Sequence, residues 1–136
     1  MYKINKNESK IKIMKSQKQF ILDTLLPYKE DPATCAIGDG ECLYLTKDGR
    51  KCAVGKHMKK GKWQTKFSSV EDIEYEFGLD KVLKKSALKQ EFTIEQWNLM
   101  QQYHDNVALS RRKVLINDKV KKLEESLNID LTELKF

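Results

Sequence analysis

Apolar residues near the N-terminus recur at the spacing of an α-helix. The apolar side of this first helix would carry Phe20, Ile21, Thr24 and Leu25. Ser16 is a good N-cap residue and Pro27 lacks a backbone donor, so the pattern predicts a helix from about Ser16 to Lys29 that Pro27 ends or kinks. The preceding residues 1–15 alternate loosely, which is typical of an edge strand or a loose terminal segment.

A second helical pattern occupies the C-terminal part of the chain. Thr93 and Gln96 have the spacing of a capping box, which marks the start of a helix. Two apolar runs follow at helical spacing, first Leu99, Met100, Tyr103 and Val107, and then Ile116, Val120, Leu123 and Leu127. The pattern leaves open whether this region is one helix or two that separate near residues 106–110. Asn128 is the expected C-cap, and residues 129–136 are expected to dock as a short final element.

Between these helical regions the apolar residues alternate with polar ones, which is typical of strands. Residues 41–55 hold two such runs around an Asp-Gly turn and therefore predict a β-hairpin. Residues 62–68 predict a third strand. The alternating residues in that third strand are Trp63, Thr65 and Phe67.

One short helix completes the predicted elements. Ser69 and Asp72 form a second capping box, and Gly78 is a stop signal after it. Together the elements predict an α+β fold, in which a small antiparallel β-sheet packs with N-terminal and C-terminal helices. A chain of 136 residues is long enough for one core, so we expect a single domain in which residues 1–15 are the loose part.

The length of the hairpin loop decides which side chains share a face. A two-residue Asp-Gly loop would place Cys42 and Cys52 on opposite sides, whereas a three-residue loop that starts at Lys47 would place both on one side with Tyr44. Glycine in the last loop position suits a type I turn followed by a left-handed residue, so we expect the three-residue loop. Cys42 and Cys52 would then be diagonal neighbours about 7–8 Å apart, which is too far for a disulfide.

The cysteines also permit a metal-based alternative. Cys35, Cys42, Cys52 and His57 have the spacing C-x6-C-x9-C-x4-H. This spacing lacks the tight C-x2–4-C pair of most structural zinc sites. We therefore expect packed thiols and no cofactor, with zinc bound by these residues as the alternative.

Composition indicates a soluble protein with one strongly basic region. Charged residues make up 34% of the chain and apolar residues 40%, and no run reaches the roughly 18 apolar residues of a membrane span. Three cysteines without an export signal indicate reduced thiols in the cytosol, with no membrane partner. Between residues 47 and 66 eight basic residues oppose Asp48 alone, while the whole chain has a net charge of +6. This local charge either attracts an anion or belongs to a solvated loop.

The sequence MQQYHD in the predicted C-terminal helix carries the second group of chemical interest. His104 would lie at the edge of the apolar face near Trp97, with Gln101 and Asp105 further round, which suits a structural histidine or the wall of a polar cleft. An HD-type phosphohydrolase is excluded, because its metal ions need more histidines than the two in this chain. A Cys52–His104 nucleophile pair, as in a thiol-dependent hydrolase, is the less favoured alternative.

These two stretches together resemble a known family. The pattern C-x-Y-x3-D-G-R-K-C-A-V-G, followed by [L/M]-Q-x-x-H-D, is similar to a family of small uncharacterised proteins found mainly in bacteriophage genomes and prophage regions. The resemblance covers about residues 16–110, including KQFILDTLLPYKEDP in the first helix. Its motif positions are Cys42, Tyr44, Asp48, Gly49, Lys51, Cys52, Gly55, Gln101, His104 and Asp105. The resemblance implies a small phage-type protein in the host cytosol that counters host defence by binding rather than by catalysis.

The expected function is a non-enzymatic binding protein for an anionic ligand, preferably a nucleotide-derived signal molecule. The expected ligand contacts are Tyr44, Lys51, Cys52, Lys56, Lys59, Trp63, Gln101, His104 and Asp105. The lysines would contact phosphates, Tyr44 or Trp63 would stack on a base, and the helix residues would supply directional hydrogen bonds. The alternatives are a nucleic-acid-binding module and an inhibitor of a host protein. A homo-oligomer would offer a cleft between subunits.

Overall fold

The computed structural model describes residues 6–38, 40–65 and 68–136, and the side chains of residue 12 and of residues from 16 onward within these ranges. The helices are α1 (Lys6–Glu30), α2 (Val70–Glu76), α3 (Leu79–Val82), α4 (Lys85–Leu88), α5 (Ile94–Asp105) and α6 (Lys113–Leu127). Two short strands, β1 (Ile37–Gly38) and β2 (Glu41–Cys42), pair antiparallel. Single 3-10 turns lie at Pro32–Thr34, Gly55–His57, Lys62–Thr65 and Thr132–Leu134. The predicted α+β class is confirmed, with helices as the larger part.

Helix α1 is longer than the sequence predicts. It begins at Lys6, so residues 6–15 are helical rather than an edge strand, and residues 1–5 lie outside the described residues. Ser16 is therefore inside the helix, and its hydroxyl donates to Gln90 Oε1 at 3.1 Å instead of capping. Pro27 does not end the helix, because it and Asp23 are both exposed and water can bond the Asp23 carbonyl that loses its helical donor.

The C-terminal region forms two helices. Thr93 and Gln96 bond each other's backbone N–H groups at 3.1 and 2.9 Å, which confirms the capping box at the start of α5. A π-helical turn at Asn106–Ser110 follows, and Arg111 has a left-handed φ of 52°, so the chain changes direction before α6. Asn128 ends α6 with a φ of 54°, as expected of a C-cap.

The hydrophobic core lies where α1, α5 and α6 meet. Its largest buried side chains include Ile21, Leu25, Tyr28, Met100, Tyr103, Ile116 and Leu123. The C-terminal tail closes this core, since Leu131 and Leu134 are fully buried and the Tyr103 hydroxyl donates to the Leu134 carbonyl at 2.9 Å. The predicted final element is therefore present as a 3-10 turn. No helix of the described residues has the length and apolar character needed to cross a membrane.

The sheet differs from the predicted one. Ile37 pairs with Cys42 across a turn at Gly40. The first strand of the predicted hairpin at 41–55 therefore pairs with the segment that precedes it instead of the segment that follows it. The forward hairpin is limited to its tip, where Leu45 pairs with Lys51.

The predicted third strand at 62–68 is wrong. Lys62–Thr65 forms a 3-10 turn, and residues 66 and 67, which include the predicted Phe67, lie outside the described residues. The physical reason lies at Trp63, whose indole N–H donates to the Lys59 carbonyl at 2.7 Å. A bond over four positions closes a turn and is incompatible with an extended strand.

Candidate functional site

The tip of the hairpin has the predicted register. The Thr46 N–H donates to the Arg50 carbonyl at 2.9 Å, and the Cys52 N–H donates to the Tyr44 carbonyl at 3.4 Å. Gly49 has a φ of 91°, the positive value that the last position of such a loop requires. The three-residue loop is therefore confirmed, and Tyr44 lies opposite Cys52, with both side chains on one face.

Arg50 and Tyr28 attach this hairpin to the rest of the protein. The Arg50 guanidinium donates to the carbonyls of Cys35 and Ile37, both at 2.9 Å, while its Nε lies 3.0 Å from Asp48. Tyr28 on α1 donates its hydroxyl to the Lys51 carbonyl at 2.6 Å. The Arg50 charge is thus engaged within the protein.

His104 joins α5 to the segment before the sheet. Its side chain is 0% exposed, and the Ala36 N–H donates to its Nε2 at 2.9 Å. Because Nε2 accepts, the ring proton of the neutral imidazole lies on Nδ1, which donates to Asp105 Oδ1 at 2.9 Å. Both ring nitrogens are therefore engaged internally, as in a structural histidine.

Gln101 extends this network to the hairpin. Its Oε1 accepts from the Val54 N–H at 3.2 Å, and its Nε2 donates to Asp105 Oδ1 at 3.0 Å. Asp105 thus accepts from both Gln101 and His104, while its side chain remains 38% exposed. The motif residues of the helix and the hairpin form one connected polar network.

The thiols belong to the same region. Burial raises the pKa of Cys35 to about 11 and that of Cys52 to about 12. Burial, followed by the Asp105 carboxylate, raises the pKa of Cys42 further still. The thiolate is the nucleophilic form, so these free cysteines stay protonated and unreactive at neutral pH.

The same region brings three potential metal ligands together. Cys42, His104 and Asp105 have ligand atoms within 4.8 Å of one another. His104 does not fit a metal, because Nδ1 carries the proton and Nε2 accepts from Ala36, so coordination would require an imidazolate. His57, the fourth residue of the zinc alternative, instead donates from Nε2 to Thr24 Oγ1 at 2.8 Å.

A cleft of about 230 Å³ lies between the hairpin and α5. Residues 42–44 form one wall, residues 68–70 form a second, and the α5 wall carries Asn98, Gln101, Gln102 and Asp105. The hairpin and the His-Asp helix therefore do face one cleft. Among the described residues that line it, none is a lysine or an arginine.

The lysines predicted to bind phosphate lie elsewhere. Lys56 donates to the Thr24 carbonyl at 2.7 Å and lies 3.9 Å over the Tyr28 ring, and burial lowers its pKa. Lys51 is half-buried, and Lys59 is exposed next to the 3-10 turn that holds Trp63. Of the predicted contacts, Tyr44, Gln101 and Asp105 line the cleft, whereas Lys59 and Trp63 lie together at the 3-10 turn. Lys51, Cys52, Lys56 and His104 are not part of the cleft lining.

A short backbone pairing brings two lysine-rich segments together into one basic surface. Met58 and Leu83 form an antiparallel bridge, in which the Lys59 N–H donates to the Val82 carbonyl and the Lys84 N–H donates to the His57 carbonyl, both at 2.8 Å. This bridge places the segment MKKGK beside the segment DKVLKK. We call the exposed lysines of both segments the lysine surface: Lys59, Lys60, Lys62, Lys81, Lys84 and Lys85.

The comparisons with known proteins gave no match. No protein-family model matches the chain, and no curated protein or solved structure matches it. The resemblance to a phage protein family therefore stays a prediction, and function rests on the geometry of the two sites.

Sequence reasoning missed half of the lysine surface. Lys81, Lys84 and Lys85 carry no motif and lie more than twenty positions from Lys59. Lys81 is in α3, Lys84 lies between α3 and α4, and Lys85 begins α4. The one local signal was the pair of lysines at 84–85 next to the apolar Val82 and Leu83. A pairing of this kind depends on tertiary contacts, so the sequence alone does not show which distant segments pair.

Proposed function

We propose that this protein is a non-enzymatic binding protein that engages phosphate-bearing anions through the lysine surface. The observation that carries the proposal is the Met58–Leu83 bridge, which brings two lysine-rich segments together. Adjacent backbones in such a bridge lie about 5 Å apart, so side chains from both can reach one phosphate chain.

The charge balance around the bridge favours an anionic ligand. The two bridged segments carry six lysines and a single acidic residue, Asp80. Within the part of the chain that the structure describes, none of these six lysines forms a salt bridge. Burial lowers the pKa of the neighbouring His57 to about 4, and Lys56 and Lys84 add to that effect. Unpaired lysines attract phosphates and release counterions when they bind.

The shape of the surface favours a polymer over a single nucleotide. Its lysines are exposed on turns and short helices rather than enclosed in a cavity. An open basic surface is typical of nucleic-acid binding, in which affinity comes from several phosphates at once. A nucleotide-derived signal carries the same phosphate chemistry and forms the second arm of the test. In the phage setting that the resemblance implies, either ligand would come from the host.

The cysteine and the histidine of the thiol-hydrolase alternative are not arranged for catalysis. Cys52 is a buried thiol with a raised pKa, and both nitrogens of His104 are engaged. A thiol-dependent hydrolase needs a thiolate within reach of a free imidazole nitrogen. This geometry favours binding over catalysis.

The test compares two variants of equal charge. Lys59→Gln with Lys84→Gln removes one lysine from each bridged segment, whereas Lys47→Gln with Lys121→Gln removes two exposed lysines elsewhere. Fluorescence anisotropy is measured with labelled duplex DNA, single-stranded RNA and a cyclic dinucleotide at low and moderate salt. We expect the first variant to weaken binding about tenfold and to reduce the salt slope by about two. The second variant should change affinity less than about threefold.

Two results would contradict the proposal. The first is that none of the three probes binds at low salt. The second is that both double variants weaken binding equally, since the attraction would then come from net charge alone.

A further inference from the structure

The described lining of the cleft between the hairpin and α5 favours a cation over an anion. Its lining includes the partly exposed Asp105 carboxylate and, among the described residues, no lysine or arginine. Glu71 lies at its edge, because the Asn98 amide, which lines the cleft, donates to Glu71 Oε1 at 3.0 Å. The cleft is therefore distinct in chemistry from the lysine surface.

The Tyr44 side chain reports the same negative field. Its pKa is raised by burial first, then by Cys52, and then by the carboxylates of Asp105, Asp72 and Glu71. Three carboxylates from two different helices thus act on one wall of the cleft. A positive group in the cleft would gain from all three.

Two side chains at the cleft keep acceptor oxygens for a ligand. Asn98 uses one of its two N–H donors in the bond to Glu71, and its amide oxygen is left as an acceptor. Asp105 accepts from Gln101 and His104 through Oδ1 and also from the Cys42 thiol, and its side chain is still 38% exposed, so the carboxylate can accept a further donor. A ligand that carries several N–H donors on a positive group matches this set.

Ser68 supplies an independent observation. Ser68 lines the cleft, and its hydroxyl oxygen is buried from solvent and has no hydrogen-bond partner among the described residues. A buried hydroxyl without a partner costs stability, so it calls for a group that bonds it. The neighbouring Ser68 carbonyl already accepts from the Tyr44 hydroxyl at 2.6 Å, so the missing partner is one for the side chain.

We propose that this cleft binds a cationic head group of the guanidinium or primary ammonium class. Asp105 would pair with its charge, Asn98 would accept a further N–H donor, and Ser68 would accept another once its hydroxyl turns toward the cleft. The volume of about 230 Å³ is smaller than the roughly 300 Å³ at which pockets for drug-sized ligands begin, so the cleft takes a head group rather than a whole large ligand. The head group belongs either to a small free amine or to an arginine or lysine side chain of a protein.

The test uses NMR titration of the full chain labelled with ¹⁵N. Agmatine serves as the free-amine probe, and a capped arginine-containing peptide serves as the side-chain probe. Sodium chloride at matched ionic strength controls for screening. We expect saturable shifts at the amides of Ser68, Gln102 and Asp105 with at least one probe, and preference between the probes distinguishes the two sources.

Three variants test whether the probes bind in the cleft. Asp105→Asn keeps an acceptor for His104 and Gln101 but removes the charge, and it should weaken binding about tenfold or more. Ser68→Val fills the cleft without a change in charge and should abolish the shifts, which keeps the test valid if the first variant is unstable. Asp80→Asn, at the lysine surface, should leave binding unchanged. Absence of saturable shifts with both probes, or equal affinity in wild type and Ser68→Val, would overturn the proposal. Loss of lysines at positions 59 and 84 should not affect this site, so failure here and failure of anion binding are separate results.

Discussion

The backbone N–H of Ala36 donates to Nε2 of His104 at 2.9 Å, across 68 positions of sequence. This bond sets the imidazole as the Nδ1–H tautomer, and Nδ1 then bonds Asp105. A histidine beside an aspartate resembles catalytic chemistry in sequence. Here it joins the C-terminal end of α5 to the chain that enters the small sheet.

Replacement of His104 by alanine should destabilise the protein strongly. The change leaves the Ala36 N–H without its partner and opens a cavity beside Tyr28, whose ring centroid lies 4.7 Å from that of His104. We expect a loss of about 2–4 kcal/mol in the free energy of unfolding, measured by urea denaturation. Gln102→Ala, at a half-buried position of the same helix, is the control and should cost less than about 0.5 kcal/mol. Equal losses in both variants would show that the hydrogen bonds of His104 contribute no more to the free energy of unfolding than an ordinary half-buried side chain does.

Gly55 should tolerate no side chain. A Cβ at this position would lie 2.0 Å from the Tyr44 carbonyl oxygen, which is backbone and cannot move aside without disrupting the hairpin. We expect Gly55→Ala to cost about 3 kcal/mol or more. Gly49→Ala is the matched control, because Gly49 faces open space and its φ of 91° alone should cost about 1–2 kcal/mol. Thermal unfolding of both variants measures the difference, and a smaller effect at Gly55 than at Gly49 would contradict the close approach.

His57 should make stability fall in mild acid. Burial, then Lys56 and Lys84, lowers its folded pKa to about 4 from an ordinary value of 6.5. Between these two values the unfolded chain binds the proton and the folded chain does not. Stability is therefore complete above pH 6.5 and declines as the pH falls toward 4, by about 3 kcal/mol.

The variant His57→Gln isolates this contribution. Its amide can still donate to Thr24 but does not titrate in this range. Urea denaturation between pH 7 and pH 4 should show a flatter dependence in the variant than in the wild type. Parallel curves for the two proteins would assign the acid sensitivity to other groups.

The cysteines should react slowly with thiol reagents in the folded protein. Burial raises the pKa values of Cys35 to about 11 and Cys52 to about 12, so few thiolates exist at neutral pH. We expect reaction with a coloured disulfide reagent at pH 7.5 to be about 100-fold slower than for an exposed thiol, and to become fast in urea. Rapid reaction of Cys52 in the native state would revive the hypothesis of a thiol-dependent hydrolase.

Local signals in the sequence were sufficient for several elements. The capping boxes at Ser69 and Thr93, the C-cap at Asn128 and the three-residue loop that ends at Gly49 are all present as predicted. Each depends on the backbone conformation and hydrogen bonds of a few neighbouring residues. The sequence holds that information within a short window, so it can be derived without a structure.

The sequence by itself determined the fold class, the starts of α2 and α5, the end of α6 and the register of the hairpin tip. Tertiary structure alone decided that Ile37 pairs with Cys42, that Trp63 lies in a turn, and that Lys84 joins Lys59 on one surface. It also decided that His104 is buried and bonds the segment before the sheet, and that the Asp105 carboxylate lines the cleft beside it. These outcomes depend on which distant segments meet in the core. Many pairings of similar segments satisfy the same local preferences, so only the packed chain selects among them.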